Sequence, residues 1–319
     1  MASLFCPYLG DDVDEAQSSL EHVVPESLGG TSGLAIRVDR ASNIKLGTAV
    51  DGPVAQLFAG HRVKYNLKGH SGNEPSVMLS GSVEDLGGLG VELELTPAGG
   101  SVRLKPSVTR DRQADGSVRV SVRGEPEEAQ RIYANIKRTH EAKGKTVQTE
   151  DQFPQTLQNL RVTGNIKVDL LALARFQAKV ALGIGHMLWG PEWSRSPGAQ
   201  LIRRVLWSTT VGEANAVGLQ GGNITPETLG FVLDECEHAF VVSGLPDGTC
   251  ALASFFFGQV GTATKLGTVN GVSLGCWPIV LLLNVETGIL QRPTSLELYR
   301  NRRKAAREEP PRPCYSGAS

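Results

Sequence analysis

The chain has few cysteines, no long apolar run and no excess of either charge. Its five cysteines (Cys6, Cys236, Cys250, Cys276 and Cys314) are scattered through 319 residues and form no C-x-x-C pair. That excludes a disulfide framework and points to a reducing compartment. The first residues lack the basic and apolar regions of a secretory signal, so a cytoplasmic location is expected. The most apolar stretch, Val272 to Leu283, is interrupted by Gly275, Cys276 and Pro278 and is too short to cross a bilayer as a helix. It reads as buried strand, and no membrane partner is expected. A formal net charge of -1 gives no global attraction for nucleic acid.

What is present is an ordinary globular balance, 40% hydrophobic and 20% charged, which supports a packed fold over most of the length. Charge is uneven locally. Residues 1–30 carry six acids (Asp11, Asp12, Asp14, Glu15, Glu21, Glu26) and no Lys or Arg, whereas residues 31–70 carry six bases against Asp39 and Asp51. A metal site beside a basic surface has this pattern, and so do many solvated faces.

The patterning predicts an α+β chain in four parts. A module over 1–72 is followed by a small β-rich unit with a closing helix over 73–150. A helical pair with a C-terminal β-meander occupies 151–298, and a basic, Pro-rich tail 299–319. In the first part, Leu20 to Val24 predicts a short strand, the Gly- and Pro-rich segment from Pro25 to Gly33 a loop, and Leu34 to Val38 a second strand. Asp51-Gly52-Pro53 predicts a helix with Asp51 as its N-cap, running to about Phe58. Short alternating runs between Pro75 and Val122 predict an antiparallel sheet, and Glu125 onward a helix with acids in its first turn and bases in its last. Residues 145–158 read as a polar connector. Val168 to Met187 predicts a mainly apolar helix, Gln200 to Leu206 another, and 238–291 a meander with a hairpin turn at Leu245-Pro246-Asp247-Gly248.

The chemistry concentrates in Glu21-His22-Val23-Val24-Pro25-Glu26-Ser27-Leu28-Gly29-Gly30 and in the later Ser42-Asn43-Ile44-Lys45-Leu46-Gly47-Thr48-Ala49-Val50-Asp51. Phosphodiester hydrolysis needs a base that works near neutral pH, which histidine supplies, and a hard cation held by oxygen ligands. His22 is the candidate base, and Glu21 and Asn43 the candidate ligands. Neighbouring strand residues point to opposite faces, so Glu21 and His22 share a centre only if the strand bends or ends there.

These two segments resemble the HNH, or ββα-metal, endonuclease family, in particular members with E-H-x-x-P-x-x-L-G-G and a later C-N-x-x-x-G-x-x-x-D. The resemblance implies an N-terminal ββα-metal module followed by mixed antiparallel sheets and helices. It also implies that Glu21 and Asn43 bind Mg²⁺ or Mn²⁺ and that His22 activates water for attack on nucleic acid, with DNA the expected partner. Gly29 and Gly30 would shape the loop, and Asp51 matches the trailing acid, read as structural. Arg40, Lys45, Arg62 and His70 are the bases expected against the substrate. Members of the group usually carry two C-x-x-C pairs. Here Leu9 follows Cys6 where the second thiol would stand, and Asp39 and Ser42 occupy the later pair, so no structural zinc is expected. Leu34, Ala35 and Ile36 fill the region where many members place a residue that orients the histidine.

Two functional classes stay open: a metal-dependent HNH endonuclease, and a catalytically inactive HNH-derived nucleic-acid-binding or interaction protein. Other features carry less. Gly183-Ile184-Gly185-His186 lies inside the apolar helix and reads as close helix packing rather than a phosphate loop. His61 and the bases Arg203, Arg204, Arg300, Arg302, Arg303, Lys304 and Arg307 read as polar surface first and backbone-phosphate contacts second. Asn223-Ile224-Thr225 is a formal glycosylation sequon of little meaning without an export signal.

Overall fold

The computed structural model describes residues 2–83, 88–147, 162–163, 168–216, 224–229, 233–268 and 278–292. The basic tail from 299, the sequon residue Asn223, Cys276, Cys314 and the connector beyond residue 147 lie outside them.

The protein is a mixed α+β chain with antiparallel sheets. In chain order the elements are β1 (Ser3–Cys6), β2 (Asp11–Asp14), β3 (Ser18–His22), β4 (Ala35–Asp39), α1 (Arg40–Leu46), α2 (Gly52–Leu57), α3 (Ala59–Lys64), β5 (Val77–Val83), β6 (Leu89–Thr96), β7 (Gly99–Leu104), β8 (Ser107–Arg112), β9 (Val118–Arg123), α4 (Pro126–Glu141), β10 (Val162–Thr163), α5 (Leu170–Ser194), α6 (Pro197–Leu206), α7 (Val211–Ala216), β11 (Glu237–Gly244), β12 (Cys250–Phe256), β13 (Val260–Gly267), β14 (Ile279–Asn284) and β15 (Leu290–Gln291). They divide into two compact units, one from the described residues of Met1–Pro75 and Val168–Ser319, the other from those of Ser76–Lys167.

The second unit holds a sheet of order β10-β5-β6-β7, the separate hairpin β8-β9, and α4. Asp115-Gly116 lies in the turn between β8 and β9, with Gly116 N donating to Gln113 O at 3.1 Å. Helix α4 begins with Pro126, carries Glu127 and Glu128 in its first turn and Arg138 and His140 in its last, a charge order that suits the helix dipole.

In the first unit, residues 1–75 do not close a core of their own. Tyr8, Val23, Val24, Leu28 and Val38 lie in one apolar cluster with Phe176, Leu182 and Ile184 of α5 and with Phe240, Leu252 and Leu281 of the C-terminal sheet. Their apolar side chains are completed by α5 and the C-terminal sheet. Helix α5 is the central element, buried from Phe176 through Gly185. The Gly-x-Gly inside it serves packing. A Cβ on Gly183 would lie 2.6 Å from Val23 Cγ2, and one on Gly185 would lie 2.2 Å from the Trp193 ring. Trp193 reaches that position because the helix kinks at Gly190, whose φ of 71° is non-helical.

The C-terminal sheet is antiparallel, order β13-β12-β11-β14-β15. Alternate residues of β11 face the α5 side (Phe240, Val242) and a second apolar cluster (Ala239, Val241), as the period of two requires. The expected turn at 245–248 is present, with Gly248 N donating to Leu245 O at 3.0 Å.

Three expectations on element boundaries are corrected. The helix expected to start at Asp51 starts at Arg40, because Asp39 ends β4 and its carboxylate caps Ser42 N at 2.7 Å. The chain then stays helical through Gly47 and a π-helical turn, Gly47–Asp51, into α2, and Asp51 makes no capping hydrogen bond. The described part of the Val272 to Leu283 run enters its strand only at Ile279.

Candidate functional site

Strands β3 and β4 pair antiparallel, with Glu21 opposite Ile36 and His22 opposite Ala35. The pair runs directly into α1. Strand alternation sends Glu21 inward, buried at 7% exposure, while the His22 side chain stays partly exposed beside Glu26, Nε2 to Oε1 3.7 Å.

The Leu28-Gly29-Gly30 loop after β3 is fixed by two constraints that only glycine meets. Gly29 has φ 86°, and a Cβ there would sit 2.7 Å from Val285 Cβ. A Cβ on Gly30 would lie 1.7 Å from Val24 O. Gly30→Ala must therefore displace backbone rather than a side chain, and about 1–3 kcal/mol of stability should be lost, toward the upper end. The urea unfolding midpoint tests this, and an unchanged midpoint would contradict the packing described.

Glu21 does not point at open space. Lys179, at 0% exposure in the middle of α5, places its Nζ against the Glu21 carboxylate and 2.8 Å from both Oδ1 and Oδ2 of Asp51. The π turn delivers Asp51. It inserts an extra residue into the helix and packs on α5. Burial pushes both carboxyls above their ordinary range, Lys179 pulls both back, and for Glu21 the neighbouring Asp51 pushes further up. The Tyr8 phenol is fully buried, and burial followed by the charges of Glu21 and Asp51 holds its pKa well above the ordinary value. Its hydroxyl has no hydrogen-bond partner among the described residues.

The Asn43 amide nitrogen donates to Ser19 Oγ and to Leu20 O, each at 2.9 Å, tying α1 to β3. A carbonyl only accepts, so this contact fixes the amide orientation. Of the other bases, Arg62 Nε donates to Ser27 O at 3.0 Å, and His70 is exposed with Nδ1 3.5 Å from Glu26. Lys45 is exposed, its Nζ 4.4 Å from the Trp207 ring centroid, and Arg40 is exposed at the start of α1. His61 stacks on Phe257 at 4.5 Å, and burial lowers its pKa.

The positions that would carry zinc-binding thiols are braced by hydrogen bonds. Asp39 N donates to the buried Cys6 Sγ at 3.4 Å. The turn after Cys6 is held from α6 and its end. Arg203 Nε donates to Pro7 O at 2.8 Å and Trp207 Nε1 to Tyr8 O at 2.9 Å. Arg203, read from sequence as surface or phosphate contact, is thus a structural clamp.

No family model, curated protein or solved structure matches this chain. The geometry stands by itself. Lys179 and Tyr8, which sequence reasoning did not single out, are its main members. One signal was available: a lysine between Ala178 and Val180 in an otherwise apolar helix needs a counter-charge if it is buried.

Proposed function

We propose that β3, β4 and α1 form an HNH-type ββα module that no longer hydrolyses phosphodiesters, and that the protein binds DNA through the exposed side of this module. The observation that carries the first part is the Lys179 ammonium seated between Glu21 and Asp51. A divalent ion held by Glu21 would have to share its oxygens with that ammonium. The residues as arranged do not fit a Mg²⁺ or Mn²⁺ centre, so no hydrolytic step is derived through one. His22 is left beside Glu26 without a metal-polarised water to deprotonate.

The binding surface rests on Arg37, Arg40 and Lys45, which are exposed along β4 and α1. Exposed bases attract phosphates without reading sequence, so affinity should fall as salt rises.

The test is incubation of purified protein with plasmid DNA and Mg²⁺ or Mn²⁺, with and without EDTA, beside His22→Ala and Asn43→Ala, and anisotropy with a labelled duplex beside Arg40→Glu/Lys45→Glu. The expected result is binding weakened at least tenfold in the double variant and no metal-dependent nicking. Nicking abolished in both His22→Ala and Asn43→Ala would instead establish the nuclease, and duplex binding unchanged by the charge reversals would remove the DNA partner.

A further inference from the structure

An open cleft of about 550 Å³ lies within the first unit, between the β1–β2 hairpin, β4 and the end of α5. That is room for a ligand of nucleotide size. Two of the charges lining it are matched to each other. Arg195 Nη2 lies 2.8 Å from Asp12 Oδ1 and 2.9 Å from Oδ2, and its guanidinium carbon is 4.3 Å from the Phe5 ring centroid. Half exposed and braced in this way, Arg195 offers the cleft a flat face rather than an unmet charge. Two further charges, Arg37 and Glu15, are exposed and have no ion-pair partner among the described residues. They are held side by side through Ser18, whose Oγ accepts from Arg37 Nη1 at 2.8 Å and donates to Glu15 O at 2.7 Å. His186, with Nδ1 2.9 Å from Ser194 Oγ, has its pKa lowered by burial and adds no charge at pH 7.

The lining therefore asks for a planar ligand with hydrogen-bond donors for one carboxylate next to acceptors for one guanidinium. Guanine carries both: N1–H and the N2 amino group on one edge, O6 and N7 on the adjoining one. Adenine and cytosine place a ring acceptor beside their amino group, where it would meet the carboxylate. We infer that this cleft binds an unpaired guanine base, with Glu15 accepting from N1 and N2, Arg37 donating to O6 and N7, and Arg195 stacked on the ring. The base must be unpaired, because a duplex already commits N1 and N2 to cytosine. Arg37 is shared with the proposed DNA surface, but the inference does not rest on duplex binding. A free nucleotide and a single strand present the same base, and the experiment separates them.

The full chain as wild type, Glu15→Ala and Arg37→Gln is titrated calorimetrically with the 5′-monophosphates of guanosine, inosine, adenosine and cytidine. The guanosine nucleotide should bind at least tenfold more tightly than those of adenosine and cytidine. Inosine lacks only the N2 amino group, so its nucleotide should bind about tenfold more weakly to the wild type, the worth of one hydrogen bond to a charged group. Glu15→Ala should erase that difference, and Arg37→Gln should weaken the guanosine nucleotide at least tenfold. No binding, equal binding of the guanosine and inosine nucleotides by the wild type, or displacement of either by inorganic phosphate would overturn the inference. Competition by a short oligothymidylate carrying one dG, but not by oligothymidylate alone, would identify a single strand as the source of the base. Without such competition the free nucleotide is the ligand. Nucleotide binding by a protein that binds no duplex would overturn the proposed DNA role and leave this cleft standing, and duplex binding without nucleotide binding would do the reverse.

Discussion

Lys179→Met, in EDTA at pH 7, should lose about 3–5 kcal/mol of stability, the usual penalty for removing one partner of a buried ion pair. Methionine matches the lysine stem in length and packs well in α5, so the loss reports the charge and not a cavity. Glu21 and Asp51 would be left facing each other at low exposure with their counter-ion gone. Their carboxyl pKa values, already pushed up by burial in the wild type, would rise further. The sign of the pH dependence follows. A carboxyl whose folded pKa lies above its unfolded value favours the folded state below the unfolded pKa, and that contribution disappears as pH rises through the folded pKa. The deficit of Lys179→Met should therefore shrink on acidification from pH 7 toward pH 4.5, and Lys179→Met/Glu21→Gln/Asp51→Leu should recover most of it at pH 7. Urea unfolding at several pH values measures both. A Lys179→Met protein as stable as wild type at pH 7 would mean that the cluster carries no net electrostatic weight.

Acidification should act on the wild type through His238 with the opposite sign. This imidazole is fully buried. Its Nε2 lies 2.7 Å from Leu28 O and its Nδ1 accepts from Phe257 N at 3.1 Å. A carbonyl accepts and an amide N–H donates, so the neutral ring is held with its proton on Nε2. Burial, with a smaller push from His61, lowers its pKa to about 4 from the ordinary 6.5. Protonation would place an Nδ1–H against the Phe257 N–H. Because the unfolded chain takes up this proton first, stability is full above pH 6.5 and falls as pH drops toward 4. Between pH 7 and pH 4 the loss amounts to about 3 kcal/mol, from the shift at 1.36 kcal/mol per unit. The comparison is with His238→Gln, which keeps a donor and an acceptor but does not titrate. If wild type and variant lose stability equally over this interval, His238 is not the titrating group.

The same histidine shows how strain is carried in the hairpin between β12 and β13. Gln259 N donates to Phe256 O at 3.1 Å across Phe257 and Gly258, whose φ values are 51° and 66°. A bulky residue with positive φ is costly. Phe257 persists there because its backbone N–H is claimed by His238 and its ring is stacked on by His61 and Tyr65. Leu28 O, the other end of the His238 bridge, belongs to the loop that carries Gly29 and Gly30. The N-terminal loop and the C-terminal sheet are thus joined through one imidazole.

Much of the local structure was written in the sequence. The two strands around the Gly-rich loop, the hairpins at Asp115-Gly116 and Leu245 to Gly248, the charge-ordered α4 and the apolar α5 all follow from period, turn chemistry and capping, which act between near neighbours in the chain. Even the packing role of Gly183 and Gly185 could be read, since small residues in a buried helix let neighbours approach closely, here Val23 on one side and Trp193 on another. The helix start at Arg40 was missed because Asp39 and Asp51 are both plausible caps. Only β4, ending at Asp39, selects between them.

The tertiary structure decided the character of the site. Glu21, His22, Asn43 and Asp51 were visible as a polar constellation, but what each one faces depends on partners far along the chain. Lys179 meets Glu21 and Asp51 because α5 threads the core against β3 and the π turn. Arg203 and Trp207 meet Pro7 and Tyr8 because α6 and its end pack against the turn that follows β1. Spacing rules describe residues a few positions apart on one strand or helix, and they are silent on which distant charge ends up in the same low-dielectric pocket. By itself the sequence determined which residue types were available for a cation site. The packing of α5 determined that the cation there is an ammonium of the chain itself, because a buried carboxylate pair must find a counter-charge and Lys179 lies within reach.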